Sequence, residues 1–201
     1  MDSTISDRPR AGHNAKTPHM ANFTLRGDEQ TELRLLQEED AKEELALWRV
    51  NHEDYLRWFP GDYDSKTLEK TREWIGSNLE RFSSNRGFAV GIWHQGDLAG
   101  MIDLQEVDWV SRKSGLAYWL GAAFQGKGLM TRACQALVDH AFGEMNLNRI
   151  EIRCAPENVK SCAVAQRLGF KREGVLRHSE LLRGRYLDYA VYAILREDHA
   201  R

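Results

Sequence analysis

The segment Gly121-Ala-Ala-Phe-Gln125-Gly126-Lys127-Gly128-Leu129-Met130-Thr131 decides the fold. It follows a β-rich run, Gly115 to Leu120, and opens an amphipathic stretch that continues to about Glu144. Three glycines directly ahead of a helix allow a tight turn whose N–H groups converge on one place. The helix start adds unsatisfied donors and the positive end of its dipole. Such a combination is suited to hold an anion, phosphate above all.

Outward from this loop, the chain reads as one domain. Its 201 residues, 42% hydrophobic and 29% charged, can bury a substantial core. With 28 Lys+Arg against 30 Asp+Glu, the net charge of −2 offers no global basic field for nucleic acid and no cationic block for a membrane surface. Cys134, Cys154 and Cys162 form no C-x-x-C pair and no zinc-type spacing with histidine, so no metal is expected. A disulfide framework is not expected either, which favours a reduced, cytoplasmic setting. No apolar run approaches the roughly 20 residues needed to cross a bilayer. Residues 1–22 are polar, lack a signal-type apolar region, and read as a disordered lead-in or appended residues outside the fold; a single domain is expected over 23–201.

In chain order, Leu33-Arg-Leu35-Leu36 suits a first strand, and Asp40 is placed to cap a helix running to about Phe59. Pro60-Gly61 stops it, and Ser65 is placed to cap a second helix that ends near Asn85. Phe88 to His94 and Leu98 to Leu104, joined by Gln95-Gly96-Asp97, read as a hairpin. The Gly115–Leu120 strand, the glycine loop and its helix come next. Leu129, Ala133, Leu137 and Ala141 make one apolar row of that helix, beside Met130, Cys134, Val138 and Phe142, a face broad enough to cover a sheet. Asn148 to Cys154 alternates as a strand, and Pro156-Glu-Asn158 begins a helix that ends at Leu168-Gly169-Phe170. Arg183-Gly184-Arg185 turns a last hairpin within 171–195. The order β-α-α-β-β-β-α-β-α-β-β implies an α+β (mixed α/β) fold, a mixed sheet flanked by helices.

Two phosphate motifs match the loop only in part. Gly121-x4-Gly126-Lys127 begins like a P-loop, but Gly128 stands where Ser or Thr would hold magnesium. G-x-G-x-x-G would start at Gly126 and meets Thr131 at the third glycine. A plain turn and helix cap is the remaining structural reading. The residues Gln125-Gly-Lys-Gly-Leu-Met130 resemble the Q/R-x-x-G-x-G/A signature of the GNAT superfamily of N-acetyltransferases, with Met130 in place of the final Gly or Ala. That departure is familiar in its RimJ/RimL branch of ribosomal-protein N-terminal acetyltransferases. Tyr118-Trp-Leu-Gly121, Asn148 to Cys154, Glu157-Asn-Val-Lys-Ser161, Leu168-Gly-Phe170 and Glu173-Gly174 resemble the same branch in order and spacing.

The resemblance implies a mostly antiparallel mixed sheet with two central strands splayed, here Ser114–Leu120 and Arg149–Cys154, and the pantetheine of acetyl-CoA in the gap. It implies contacts to the arm from amides near Trp119, Leu120 and Gly121, and to the diphosphate from Gln125, Gly126, Lys127, Gly128, Leu129 and Met130. Lys127 reads equally well as a solvated surface lysine. By the same resemblance Asn158 orients pantetheine, Ser161 donates to the thioester sulfur and Glu180 is the general base, acting through water. The structural alternatives are an N-cap, a solvent-facing hydroxyl and a surface carboxylate. His178, two residues away on the same strand face, is the substitute base, with a reference pKa nearer neutrality. Tyr55, Trp58, Phe59, Trp109 and Tyr186 are candidate walls of the acceptor groove.

The implied activity is acetyl transfer to an amine, most simply the N-terminal α-amine of a ribosomal protein, by a homodimer. An α-amine is about 3.5 kcal/mol cheaper to deprotonate at neutral pH than a lysine, which suits a weak carboxylate base. A small amine (polyamine, antibiotic or peptide) is the alternative acceptor. A non-catalytic CoA-binding module and a P-loop nucleotide binder are the alternatives of other classes.

Overall fold

The structure, a computed structural model, describes residues 23–60 and 66–199. Eight strands form one sheet in the order β1-β2-β3-β4-β5-β6-β8-β7. They are β1 (Thr24–Asp28), β2 (Thr31–Arg34), β3 (Phe88–His94), β4 (Asp97–Leu104), β5 (Lys113–Leu120), β6 (Arg149–Cys154), β7 (Lys171–Leu182) and β8 (Arg185–Leu195). The helices are α1 (Ala41–Leu56), α2 (Leu68–Ser83), α3 (Leu129–Gly143), α4 (Val159–Arg167) and the short α5 (Arg196–His199). Every strand pair is antiparallel except β5 with β6. The expected mixed, mostly antiparallel α+β sheet is therefore present, with one strand more than the sequence reading gave. That strand, β1, hairpins onto β2.

The two faces of the sheet carry different helices. On one, Val90, Ile102, Leu116, Ile150, Ile152 and Tyr192 pack with the buried α3 rows, Leu129, Ala133, Leu137, Ala141 and Met130, Cys134, Val138, Phe142, and with Cys162 and Val164 of α4. On the other, Ala89, Trp93, Leu98 and Met101 meet Leu36, Ala41 of α1 and Ile75 of α2. Both patterns follow the alternation of side chains along a strand and the helical repeat.

Two expected caps are differently made. Asp40 is the N-cap residue of α1, as expected, but its side chain caps no amide of that helix; the carboxylate takes Arg34 Nη1 and Nη2 at 2.9 and 3.2 Å and, as part of a capping box, the Gln37 amide at 2.8 Å, closing a 3₁₀ turn, Glu38–Asp40, ahead of α1. Ser65 lies outside the described residues; the cap of α2 is Thr67, whose hydroxyl accepts from the Lys70 amide. Residues 1–22, expected to be a lead-in outside the fold, also lie outside the described residues.

His140 of α3 sits against Phe23 and Phe88, with ring centroids 5.2 and 6.3 Å away. Burial holds its imidazole below the usual 6.5, against the opposing pull of Glu144. The folded protein thus binds fewer protons here than the unfolded chain, so this contribution is complete above about pH 6.5 and is lost as pH falls below it. We expect the urea midpoint to drop between pH 7 and 5.5, and His140→Phe to flatten that slope; an unchanged slope would remove His140 as its source.

Candidate active site

The site is built where two strands part. β5 and β6 pair in parallel only from Lys113↔Arg149 to Leu116↔Ile152. Beyond that, β5 runs on to Leu120 beside β4, and Arg153 and Cys154 of β6 follow β8. Gln105 N donates to Gly115 O and Gly121 N to Ala99 O at 2.8 Å, so the odd-numbered residues of β5 direct their backbone at β4. Tyr118 and Leu120 therefore direct theirs into the opening. Of the expected arm-binding positions, Leu120 faces the gap, whereas the Gly121 amide is already committed to Ala99 and Trp119 faces β4. Tyr118, to which the resemblance gave no contact with the arm, shares the orientation of Leu120.

The glycine loop closes the lower end of this opening. Gly126 and Gly128 have φ of +77° and +72°, a backbone that side chains rarely adopt. A Cβ on Gly126 would meet nothing within 4 Å, so the strain of the turn, not crowding by protein, demands glycine there. The first backbone bond of α3 runs from Arg132 N to Gly128 O, leaving the amides of Leu129, Met130 and Thr131 ahead of the helix's own acceptors. The side chains of Leu129 and Met130 are buried in the core, so these residues can serve an anion only through their backbone. Lys127 is exposed, its ammonium 5.7 Å from the Phe124 ring.

The loop is braced from three directions. Arg132 donates to Lys127 O at 3.1 Å and pairs with Asp28 of β1, holding that carbonyl back toward the protein. Gln125 Nε2 donates to Leu120 O at 3.0 Å, and Lys160 of α4 donates to Gln125 Oε1 at 2.6 Å. Asn51 of α1 accepts from the Ala122 amide and donates to Leu47 O, each at 2.8 Å. Asn51, Arg132, Lys160 and Tyr118 are residues to which sequence reasoning gave no role. Only Asn51 carries a local signal, a buried amide at a mid-helix position where Asn is unfavourable.

Asn158 is the N-cap of α4, its Oδ1 accepting from the Ser161 amide at 3.2 Å. The half-buried Ser161 hydroxyl does not point to open solvent: it lies 3.1 Å from the Tyr118 hydroxyl, which also reaches Ser161 O at 3.3 Å. Burial pushes the Tyr118 phenol well above its ordinary range. Cys154 and Cys162 lie beside this pair, Sγ to Sγ 3.5 Å, and burial with the neighbouring thiol raises Cys154 to about 12. Cys154 is thus a thiol at neutral pH, without the thiolate that nucleophilic chemistry needs.

Glu180 comes from the far edge. It pairs with Leu187 of β8, and Leu187, Tyr189, Val191 and Ala193 share one face. Through Val191↔Arg153, Ala193↔Glu151 and Gly115↔Glu151, that is the face carrying Trp119. Burial raises the Tyr189 phenol and the charge of Glu180 adds to the effect, which places the half-buried carboxylate near that ring. Tyr118 and Ser161 are on the opposite face. The hydroxyl pair and the Glu180 carboxylate therefore lie on opposite faces of the sheet.

His178 does not share the face of Glu180 by simple alternation. β7 bulges between Leu176↔Tyr189 and Glu180↔Leu187, and His178 takes φ +50°, donates its amide to Asp188 and stacks on Tyr186 at 5.1 Å. Tyr55 stacks on Phe59 at 4.4 Å and meets Trp119 edge-on at 5.6 Å, on the Glu180 side. Trp109 is not a groove wall: its indole donates to Asn85 O at 2.7 Å at the opposite end of β5. Among the described residues, no group of three or more His, Cys, Asp or Glu could hold a metal ion, and no helix is long and apolar enough to cross a membrane.

Parted parallel strands, a glycine loop and a helix start in this order are the arrangement that the resemblance to the GNAT superfamily implies for its acyl-CoA site. Residues 30–171 match the family described as acetyltransferase (GNAT) domain, and the chain belongs to that family as an acetyl-CoA-dependent acyltransferase. It is 34% identical over 177 residues to YdaF of Bacillus subtilis (strain 168), whose name assigns it provisionally to the ribosomal N-acetyltransferases; the match covers 88% of this chain and 97% of YdaF. It is 34% identical over 103 residues, 51% of this chain and 54% of the relative, to spermidine N(1)-acetyltransferase of Escherichia coli (strain K12). Among solved structures, RimL, a ribosomal L7/L12 alpha-N-protein acetyltransferase in complex with coenzyme A, superposes with a TM-score of 0.84 at 26% identity, covering 88% of this chain and 99% of RimL.

The glycine strain supplies a direct check. Gly128→Val forces a β-branched side chain into φ +72° at the start of α3. We expect CoA affinity by calorimetry to fall at least tenfold while the protein stays folded. Affinity within twofold of the parent would remove the loop from the binding site.

Proposed function

We propose that the enzyme transfers the acetyl group of acetyl-CoA to the N-terminal α-amine of a protein, a ribosomal protein being the acceptor class to which its relatives point. The observation that carries the reading is the placement on opposite faces of the sheet, with Ser161 on the α3/α4 face and Glu180 on the face of Trp119, Tyr55 and Phe59. Pantetheine lies in the opening against the backbone edge at Tyr118 and the Leu120 amide, the Leu120 carbonyl being held by Gln125, in the manner of an added strand. The diphosphate sits at Gly126, Gly128 and the amides that start α3, with Lys127 at the rim. Asn158 holds the start of α4 beside the arm.

Chemistry then follows from placement. The amine enters from the Glu180 face and attacks the thioester carbon directly; the C–N bond forms and the C–S bond breaks with its electron pair on sulfur. The ammonium proton leaves toward Glu180 through water. Ser161 donates a hydrogen bond to the departing thiolate. Cys154 takes no covalent part, since its proton is held. A carboxylate is matched to an α-amine, whose reference pKa lies only about one unit above neutral.

A polyamine is the second acceptor class, favoured by the spermidine acetyltransferase relative. A cytoplasmic homodimer belongs to the same reading: all three cysteines are free, and the β7–β8 hairpin exposes Val175, Leu176, Leu181 and Tyr186. A thiol-release assay across N-terminal peptides, spermidine and lysine-bearing peptides tests the acceptor. Peptide α-amines should be used at least tenfold more efficiently than spermidine; the reverse order would replace the proposal by the polyamine reading. Glu180→Gln should lower kcat roughly tenfold or more with little change in CoA affinity. An unchanged kcat would move the base away from Glu180.

A further inference from the structure

The hydroxyl pair in the opening has a directionality that the chemistry can use. A hydroxyl carries one proton and two acceptor lone pairs, so of two hydroxyls 3.1 Å apart only one donates to the other. If Ser161 donated to Tyr118, its proton would point into the protein and away from the opening. If Tyr118 donates, Ser161 Oγ accepts and its own proton is left for another acceptor, the neighbouring Cys154 sulfur or a group in the gap. Tyr118 stands on the stretch of β5 that has lost its β6 partner, with its phenol passing behind α4 to Ser161. Ser161 is fixed from one other side, its amide donating to Asn158 Oδ1, and its carbonyl, 3.3 Å from the Tyr118 hydroxyl, competes with Ser161 Oγ for the one phenol proton. That carbonyl also lies within the helical ladder of α4, so it needs the Tyr118 proton less than the serine oxygen does.

We propose that Tyr118 is a positioning residue for acetyl transfer: its phenol donates to Ser161 Oγ and thereby aims the serine proton at the thioester sulfur. The inference rests on the proposed role of Ser161 at the leaving group. As the C–S bond breaks, negative charge builds on sulfur, and a donor already oriented toward it costs no rearrangement at that moment. Polarisation along Tyr118–Ser161–sulfur strengthens the second bond. Tyr118 keeps its proton throughout, in line with a phenol that burial holds well above its ordinary range; the thiolate acquires its proton from solvent on release. Tyr118 contributes orientation, not acid.

A double-mutant cycle decides the matter. Tyr118→Phe deletes one oxygen and leaves the ring packing, so CoA affinity and KM for the amine should stay within twofold while kcat falls roughly fivefold or more, the worth of one hydrogen bond. In the Ser161→Ala background the same change should have no further effect on kcat. All four proteins are assayed at a temperature below the lowest of their melting midpoints, so that the comparison is among folded species. An equal kcat loss with and without Ser161, or no loss in the single variant, would overturn the Tyr118 proposal and leave the Ser161 role standing. A Ser161→Ala protein with the parent's kcat would overturn both, and a loss expressed only in CoA affinity would make Tyr118 a packing residue.

Discussion

The parallel ladder between β5 and β6 ends at Leu116↔Ile152, and the remainder of the molecule is arranged to make that ending sustainable. Backbone donors and acceptors in the middle of a sheet are costly to leave without partners. Here the broken ladder leaves Tyr118 and the Leu120 amide without a strand partner, while Gln125 takes the Leu120 carbonyl; the open edge can be tolerated because it lines an opening that water or a substrate arm can fill. β4 holds β5 from one side over Gly100↔Leu120 to Leu104↔Leu116, and β8 holds β6 from the other over Arg149↔Leu195 to Cys154↔Ala190. The two halves of the sheet are each complete; only the seam between them is open.

The seam also explains why the loop must be stiff. A diphosphate can be positioned relative to the reacting thioester only if the loop keeps a fixed distance from the strand ends. Asn51, Arg132 and Gln125 provide that, tying Ala122, Lys127 and Leu120 to α1, to α3 and to the loop itself. Asn51 has a further consequence. It lies one turn before Tyr55, which touches Trp119, so the helix beside the proposed acceptor side also holds the start of the glycine loop.

Much of this was legible in the chain. The β3–β4 hairpin, the two apolar rows of α3 and the loop at Gly126 and Gly128 are written in local alternation, helical spacing and glycine placement. β1 was not, because Thr24–Asp28 is short, half polar and interrupted by Gly27, and it becomes a strand only through pairing with β2. The N-cap position of Asp40 is legible, but the pairing of its carboxylate with Arg34 is not, because that contact needs the turn between β2 and α1. The His178 bulge could not be read, since it places a non-glycine residue at positive φ with Asp188 as its partner. Trp109 was misassigned to the groove because aromatic content alone says nothing about which end of a strand a ring occupies. Ser161 and Glu180 were proposed from family resemblance; the partner that orients Ser161, Tyr118, comes from a strand 43 positions away and required the fold.

The central claim is that the edge of β5 beyond Leu116 is an unfilled strand position that coenzyme A completes. Amide hydrogen exchange at single-residue resolution, with and without coenzyme A, measures it at the atoms concerned. The account expects the amides of Tyr118 and Leu120 to exchange readily in the free protein and to slow at least tenfold on binding, while Gly121, bonded to Ala99, is already protected. Saturating binding with no change at Tyr118 and Leu120 would contradict it.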